Sequence, residues 1–125
     1  MRHLLVVDDE PADLKRACEV AESLGFEDVQ ARNTVRAAHQ YLEKGLAGEQ
    51  PLPDAIVIDL DFGHDSGFEL LRLWHSTPQL KKIPVLVWSV VEEQKQICEL
   101  FQVNCFVSKG SGVGAFREAL GQLIS

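Results

Sequence analysis

Leu4-Leu5-Val6-Val7-Asp8-Asp9 is the stretch that decides the fold. Four apolar residues in a row read as a strand buried on both faces, the mark of a parallel sheet. The run then stops at acid, and three more runs stop at polar residues. Ala55-Ile56-Val57-Ile58 stops at Asp59-Leu60-Asp61, Val85-Leu86-Val87-Trp88 stops at Ser89, and Cys105-Phe106-Val107-Ser108 stops at Lys109. Parallel strands of an open α/β sheet set their carboxyl ends along one edge, where ligands bind. These polar residues are therefore expected to converge on one pocket, suited to a divalent cation and a phosphoryl group.

Between the runs the apolar period changes from strand to helix. After Asp9, Pro11 suits a first helical turn, and Leu14, Ala17, Cys18, Ala21 and Leu24 recur at helical spacing before Gly25. Val29 to Ala31 is a short second strand. Asn33 or Thr34 can cap a helix carrying Val35, Ala38, Tyr41 and Leu42, with Gly45 after it as a stop. Residues 45–53 read as a loop. Ser66-Gly67-Phe68-Glu69 is a capping box ahead of Leu70, Leu71 and Trp74, and Thr77-Pro78 ends that helix. A fourth strand runs from Pro84 to Ser89, followed by a helix from about Glu92 to Phe101 that shows Ile97, Leu100 and Phe101. The fifth strand runs from Asn104 to Ser108, and the last helix carries Val113, Phe116, Leu120 and Ile124. Five βα units with right-handed crossovers give a doubly wound parallel sheet with five helices on its two faces.

The bulk numbers agree with one soluble domain. The chain has 125 residues, enough for one core and too few for two ordinary domains. A net charge of -7 argues against a surface that binds nucleic acid unaided. No apolar run approaches the ~20 residues of a membrane span, and the start of the chain does not read as a signal peptide. Cys18, Cys98 and Cys105 are odd in number, have no C-x-x-C spacing and read as reduced, semi-buried thiols, which fits a cytoplasmic protein.

The order of motifs resembles the receiver domain of two-component response regulators. Val6-Val7-Asp8-Asp9-Glu10-Pro11, Ile58-Asp59 with Gly67 eight residues on, Ser89, and Phe106-Val107-Ser108-Lys109 carry that resemblance, which covers the whole chain. It implies a flavodoxin-like sheet in the order 2-1-3-4-5. It implies Asp59 as phosphoacceptor, a nucleophile that forms an acyl phosphate. Mg²⁺ is the implied cofactor, held by Asp9 directly, Asp8 through water, Asp59, and the backbone carbonyl of Asp61. Ser89 and Lys109 are the implied partners of the phosphoryl oxygens, since phosphoryl transfer is mostly positioning and charge neutralisation. Ser89 and Phe106 form the implied switch, which reshapes the face made by helix 4, strand 5 and helix 5. Without metal, the clustered carboxylates are expected to raise one another's pKa.

Several positions depart from the family pattern. Gly63 stands where receivers usually carry proline, Val90-Val91 where small residues follow the hydroxyl, and Gly110 where proline follows the lysine. Val90 is expected to crowd the phosphoryl site. The Lys109-Gly110 bond is either trans, with Lys109 reaching differently, or a strained cis bond. The segment from Lys109 to Gly114 is expected to be mobile. His3, His39, His64 and His75 lack metal-ligand spacing, and only His64 lies near the phosphoacceptor.

The expected protein is a single-domain receiver spanning 1–125, with no output domain of its own and not an enzyme beyond assisting its own phosphorylation and dephosphorylation. Its expected partners are a sensor histidine kinase or phosphotransfer protein and a downstream protein target, as a monomer or weak dimer. Two other readings stay open. One is a receiver-like interaction module that does not signal by phosphate. The other is a haloacid-dehalogenase-type phosphohydrolase, whose D-x-D opening Asp59-Leu60-Asp61 resembles, although the acidic pair then lies on the wrong side of the lysine.

Overall fold

The computed structural model describes residues 2–62, 65–90 and 95–124. Gly63, His64, Val91 and the expected helix start at Glu92 lie outside the described residues.

Five parallel strands form the main sheet: β1 (His3–Val7), β2 (Asp28–Arg32), β3 (Ala55–Ile58), β6 (Val85–Ser89) and β7 (Cys105–Ser108). Their order is β2-β1-β3-β6-β7, which is the 2-1-3-4-5 order expected. Two further strands, β4 (Asp61–Phe62) and β5 (Asp65–Ser66), pair antiparallel in a small ribbon beyond β3. The helices are α1 (Pro11–Ser23), α2 (Val35–Leu46), α3 (Gly67–Ser76), α4 (Pro78–Lys81), α5 (Lys95–Leu100) and α6 (Val113–Leu123). Among the described residues there are thus six α-helices rather than five. The additional one is the single turn of α4, which Pro78 opens at its first position instead of merely ending α3.

Alternation along each strand divides the core in two. Leu5, Val7, Ile56, Ile58, Val85 and Val87 face α2 and α3. Leu4, Val6, Ala55, Val57, Leu86 and Trp88 face the other way, onto Ala17 and Val20 of α1 and Phe116 and Leu120 of α6. Both faces of the central strands are therefore dry, which is why their sequence shows no polar alternation.

Local signals set most boundaries. The Thr34 hydroxyl accepts from the Ala37 N–H at 3.0 Å and starts α2. Glu10 caps α1 ahead of Pro11, and Gly25, at φ +96°, follows its end. Gly45 does not stop α2, which runs on to Leu46. A Cβ at Gly45 would fall 2.5 Å from a Leu52 methyl, so the glycine serves close packing of the following loop, and Gly48 at φ +80° makes the turn. Leu100, expected on a packed helical face, is 78% exposed.

Candidate functional site

Register brings the strand ends level. Val7 pairs with Ile58, Ile58 with Val87, and Ser89 with Ser108. The ladder continues one residue further, since the Asp8 N–H donates to the Arg32 carbonyl and the Asp59 N–H to the Val7 carbonyl. Asp8, Asp59 and Ser89 are all buried at this edge, while Asp9 is exposed beside them.

The Lys109 ammonium ties the edge together. Its Nζ donates to Asp8 Oδ2 at 2.8 Å and to Asp59 Oδ2 at 3.1 Å. A third carboxylate, Asp13 on the first turn of α1, accepts at 2.8 Å. Asp13 was not expected here; in the sequence it reads as an ordinary acid in a helix's first turn, where it suits the dipole. The ammonium also lies 5.3 Å from the centre of the Trp88 ring, which stacks on Phe116 at 4.3 Å. Trp88 Nε1 is buried and has no hydrogen-bond partner among the described residues.

The lysine is held from its own side too. The Ser108 hydroxyl accepts from the Gly110 N–H at 3.2 Å, and Lys109–Ser111 closes into a 3₁₀ turn. The segment expected to be mobile folds as this turn and the start of α6. Its Lys109–Gly110 bond is trans, because no cis peptide occurs among the described residues.

Electrostatics follow from burial. Removal from water pushes Asp8 up to about 6, against the opposing pull of Lys109 and of the Glu10 N–H, which Asp8 Oδ1 accepts at 2.9 Å. The charge of Asp59 adds only a lesser upward push, so desolvation and not crowding dominates the shift. For Lys109, burial acts downward, but the hydrogen bonds to Asp13 and Asp8 and the charge of Asp59 outweigh it, and its pKa is raised.

Ligating oxygens of Asp8, Asp9 and Asp59 lie within 4.8 Å of one another, the only such group of three among the described residues. An all-carboxylate oxygen set fits a hard divalent cation such as Mg²⁺ or Mn²⁺. Asp61, two residues after Asp59, begins β4. The glycine at 67 has a steric reason: a Cβ there would stand 2.8 Å from the Asp59 carbonyl oxygen and 2.9 Å from Leu60 Cα. The start of α3 therefore presses directly on the turn that carries Asp59. Val90, expected to crowd the site, is 57% exposed.

Phe106 is half-buried against the α2/α3 side of the sheet and borders a cavity of about 360 Å³ with Lys95, Ser108 and Ser111. The described histidines stand elsewhere: His3 beside Asp28, His39 beside Glu43, and His75 edge-on to Phe101. The three cysteines are free, and burial pushes the Cys98 thiol up to about 11, away from thiolate chemistry.

The Response regulator receiver domain family matches residues 4–120. The response regulator Rcp1 of Synechocystis sp. is 27% identical over 110 residues, which cover 85% of this chain and 75% of that protein. Among solved structures, a phosphorylated cyanobacterial phytochrome response regulator, RcpA, superposes with a TM-score of 0.81 at 27% identity, covering 98% of this chain and 90% of the other. The Mn²⁺-bound form of Rcp1 also gives a TM-score of 0.81, at 24% identity, over 98% of this chain and 91% of the other.

Proposed function

We propose that this chain, which belongs to the response regulator receiver family, takes a phosphoryl group on Asp59 and passes the change to a protein partner. One observation carries the reading. A buried acid at the end of β3 has an ammonium 3.1 Å away and shares a three-carboxylate group within 4.8 Å. Nothing in the packing of a strand end calls for four charges in one place, and burying Asp8, Asp59 and Lys109 carries a desolvation cost that packing alone does not require.

In the proposed step an Asp59 carboxylate oxygen forms a bond to phosphorus as the donor's bond to phosphorus breaks. The electron pair leaves on the donor, an acetate oxygen when the donor is acetyl phosphate. Asp8, Asp9 and Asp59, with the Asp61 carbonyl adding to the set, would hold a divalent cation, Mg²⁺ in the cell, which would supply positive charge to offset that of the phosphoryl oxygens. Lys109 meets another phosphoryl oxygen, and the Ser89 hydroxyl a third. The physiological donor is a sensor histidine kinase or a phosphotransfer protein. Hydrolysis of the acyl phosphate at the same residues ends the signal.

The proposed response is a shift in population. Ser89 moves toward the phosphoryl group, and Phe106 turns into the space its side chain borders, reshaping the face formed by α5, β7 and α6. The receiver occupies the whole of 1–125 and acts in the cytoplasm as a monomer or weak dimer. It binds a downstream protein there and not nucleic acid.

The test is mass spectrometry of the intact protein after incubation with acetyl phosphate and Mg²⁺. One added phosphoryl group, absent from Asp59→Asn, is the expected result. A wild-type protein that stays unmodified while Mg²⁺ binds would point instead to an interaction module.

A further inference from the structure

Asp13 has no part in the reading above, yet it takes one of three short contacts on the Lys109 ammonium. Its Oδ2 lies as near to Nζ as Asp8 does and nearer than Asp59, across 96 positions of sequence. α1 and α6 lie on the same side of the sheet, so the first turn of one faces the lysine that leads into the other. An ammonium has three donors, and here each finds a different carboxylate.

The three carboxylates are not equivalent. Asp8 and Asp59 belong to the oxygen group suited to a cation, and Asp13 does not. When Asp8 and Asp59 turn their oxygens to a cation, Asp13 is the partner Lys109 keeps. Its side chain is only 19% exposed and that of Lys109 9%, so the contact is shielded from water and salt. The Trp88 ring on another side leaves the ammonium little room to swing away.

We propose that Asp13 is a positioning residue for phosphoryl transfer, holding Lys109 beside Asp59 while the other two carboxylates serve the cation. The proposal rests on Asp59 being the phosphoacceptor. Asp13 touches neither the phosphoryl group nor the cation, and acts through Lys109 alone.

Two readouts test it. The first is the rate of phosphorylation by acetyl phosphate at saturating Mg²⁺, for wild type, Asp13→Asn, Asp13→Glu, Lys109→Met and the Asp13→Asn/Lys109→Met pair. Asp13→Asn is expected to slow the reaction roughly tenfold, the scale of one charge-assisted hydrogen bond. Asp13→Glu recovers most of the rate, and Asp13→Asn changes nothing further once Lys109 is methionine. A general charge effect has the opposite sign, because losing a negative charge helps an anionic donor approach.

The second readout needs no metal or donor. The indole N–H resonance of Trp88, identified against Trp88→Phe, should move in Asp13→Asn and stay still when the same change is made beside Lys109→Met. Asp13→Asn reacting at the wild-type rate or faster, or slowing equally without Lys109, overturns the proposal. A wild type that accepts no phosphoryl group overturns the reading of Asp59 itself. The indole spectrum then decides whether Asp13 holds Lys109 at all: a moved resonance supports that hold, and an unmoved one removes it.

Discussion

The acidic half of the site and its cationic half stand on different kinds of strand. Asp8 and Asp59 extend β1 and β3, central strands whose side chains are buried on both faces from Leu4 to Val7 and from Ala55 to Ile58. Phe106 belongs to β7, an edge strand that is half-exposed along its whole length, and Lys109 follows directly at its end. A residue on a doubly packed strand has few alternative positions, because interiors are close-packed. A residue on the edge has more. The difference suggests a division of labour in which the acids fix a point in space and the edge moves in response. It also explains why the lysine needs so many contacts of its own, since its strand alone does not hold it.

The comparison breaks most completely at Asp59. Asp59→Asn keeps the central strand and removes the nucleophile, so phosphoryl uptake should fall to nothing while thermal unfolding changes little. Uptake at another residue, seen by peptide mapping, would show that the fixed point lies elsewhere.

Gly67→Ala attacks the rigid half without touching its chemistry. The new methyl meets backbone at Asp59 and Leu60, which cannot swing aside as a side chain would. A loss of about 1–3 kcal/mol in urea unfolding is expected, with slower phosphorylation. Full stability and full rate together would mean that α3 does not press on the acidic turn.

Asp8 gives the comparison a pH axis. Its pKa is raised when folded, so between the ordinary 3.8 and about 6 the folded protein binds more protons than the unfolded chain. Stability of the metal-free protein should therefore fall as pH rises through this window, by on the order of 2–3 kcal/mol from Asp8. Asp8→Asn should flatten that fall and unfold later than wild type near pH 7, since Lys109 keeps Asp13 and Asp59. Parallel curves for the two proteins from pH 4 to 7 would count against a desolvated Asp8.

Smaller effects belong to the periphery. Thr34→Ala removes the α2 cap and should cost ~1 kcal/mol of stability with no change at the site. Val90→Ala should alter phosphorylation by about twofold or less, because Val90 is largely exposed to solvent. A large acceleration would restore the view that Val90 crowds the phosphoryl group.

What the sequence conveyed divides along similar lines. Leu4 to Val7 and Ala55 to Ile58 were legible as buried parallel strands because each residue there satisfies the same demand from both faces. Asp8, Asp59, Ser89 and Lys109 were legible as neighbours because each ends such a run, and level strand ends are a property of the architecture. Thr34 and Pro11 marked helix starts by local chemistry alone. Asp13 was not legible, since its partner lies 96 positions away and nothing in a first-turn acid points to it. Gly45 misled, because its role is to admit Leu52 and a glycine that serves packing looks like one that stops a helix. The one-turn α4 and the β4–β5 ribbon are too short to show a period.

The most direct measurement is an amide NMR spectrum of the whole chain, taken in Mg²⁺ and again after beryllofluoride, which mimics an acyl phosphate without needing the kinase. A fixed acidic centre with a responsive edge predicts changes at Asp9, Ser89 and Lys109 that spread along β7 to Phe106 and into α6, and that disappear in Asp59→Asn. Changes with Mg²⁺ alone and none with beryllofluoride would contradict the account, leaving a cation site with no switch attached.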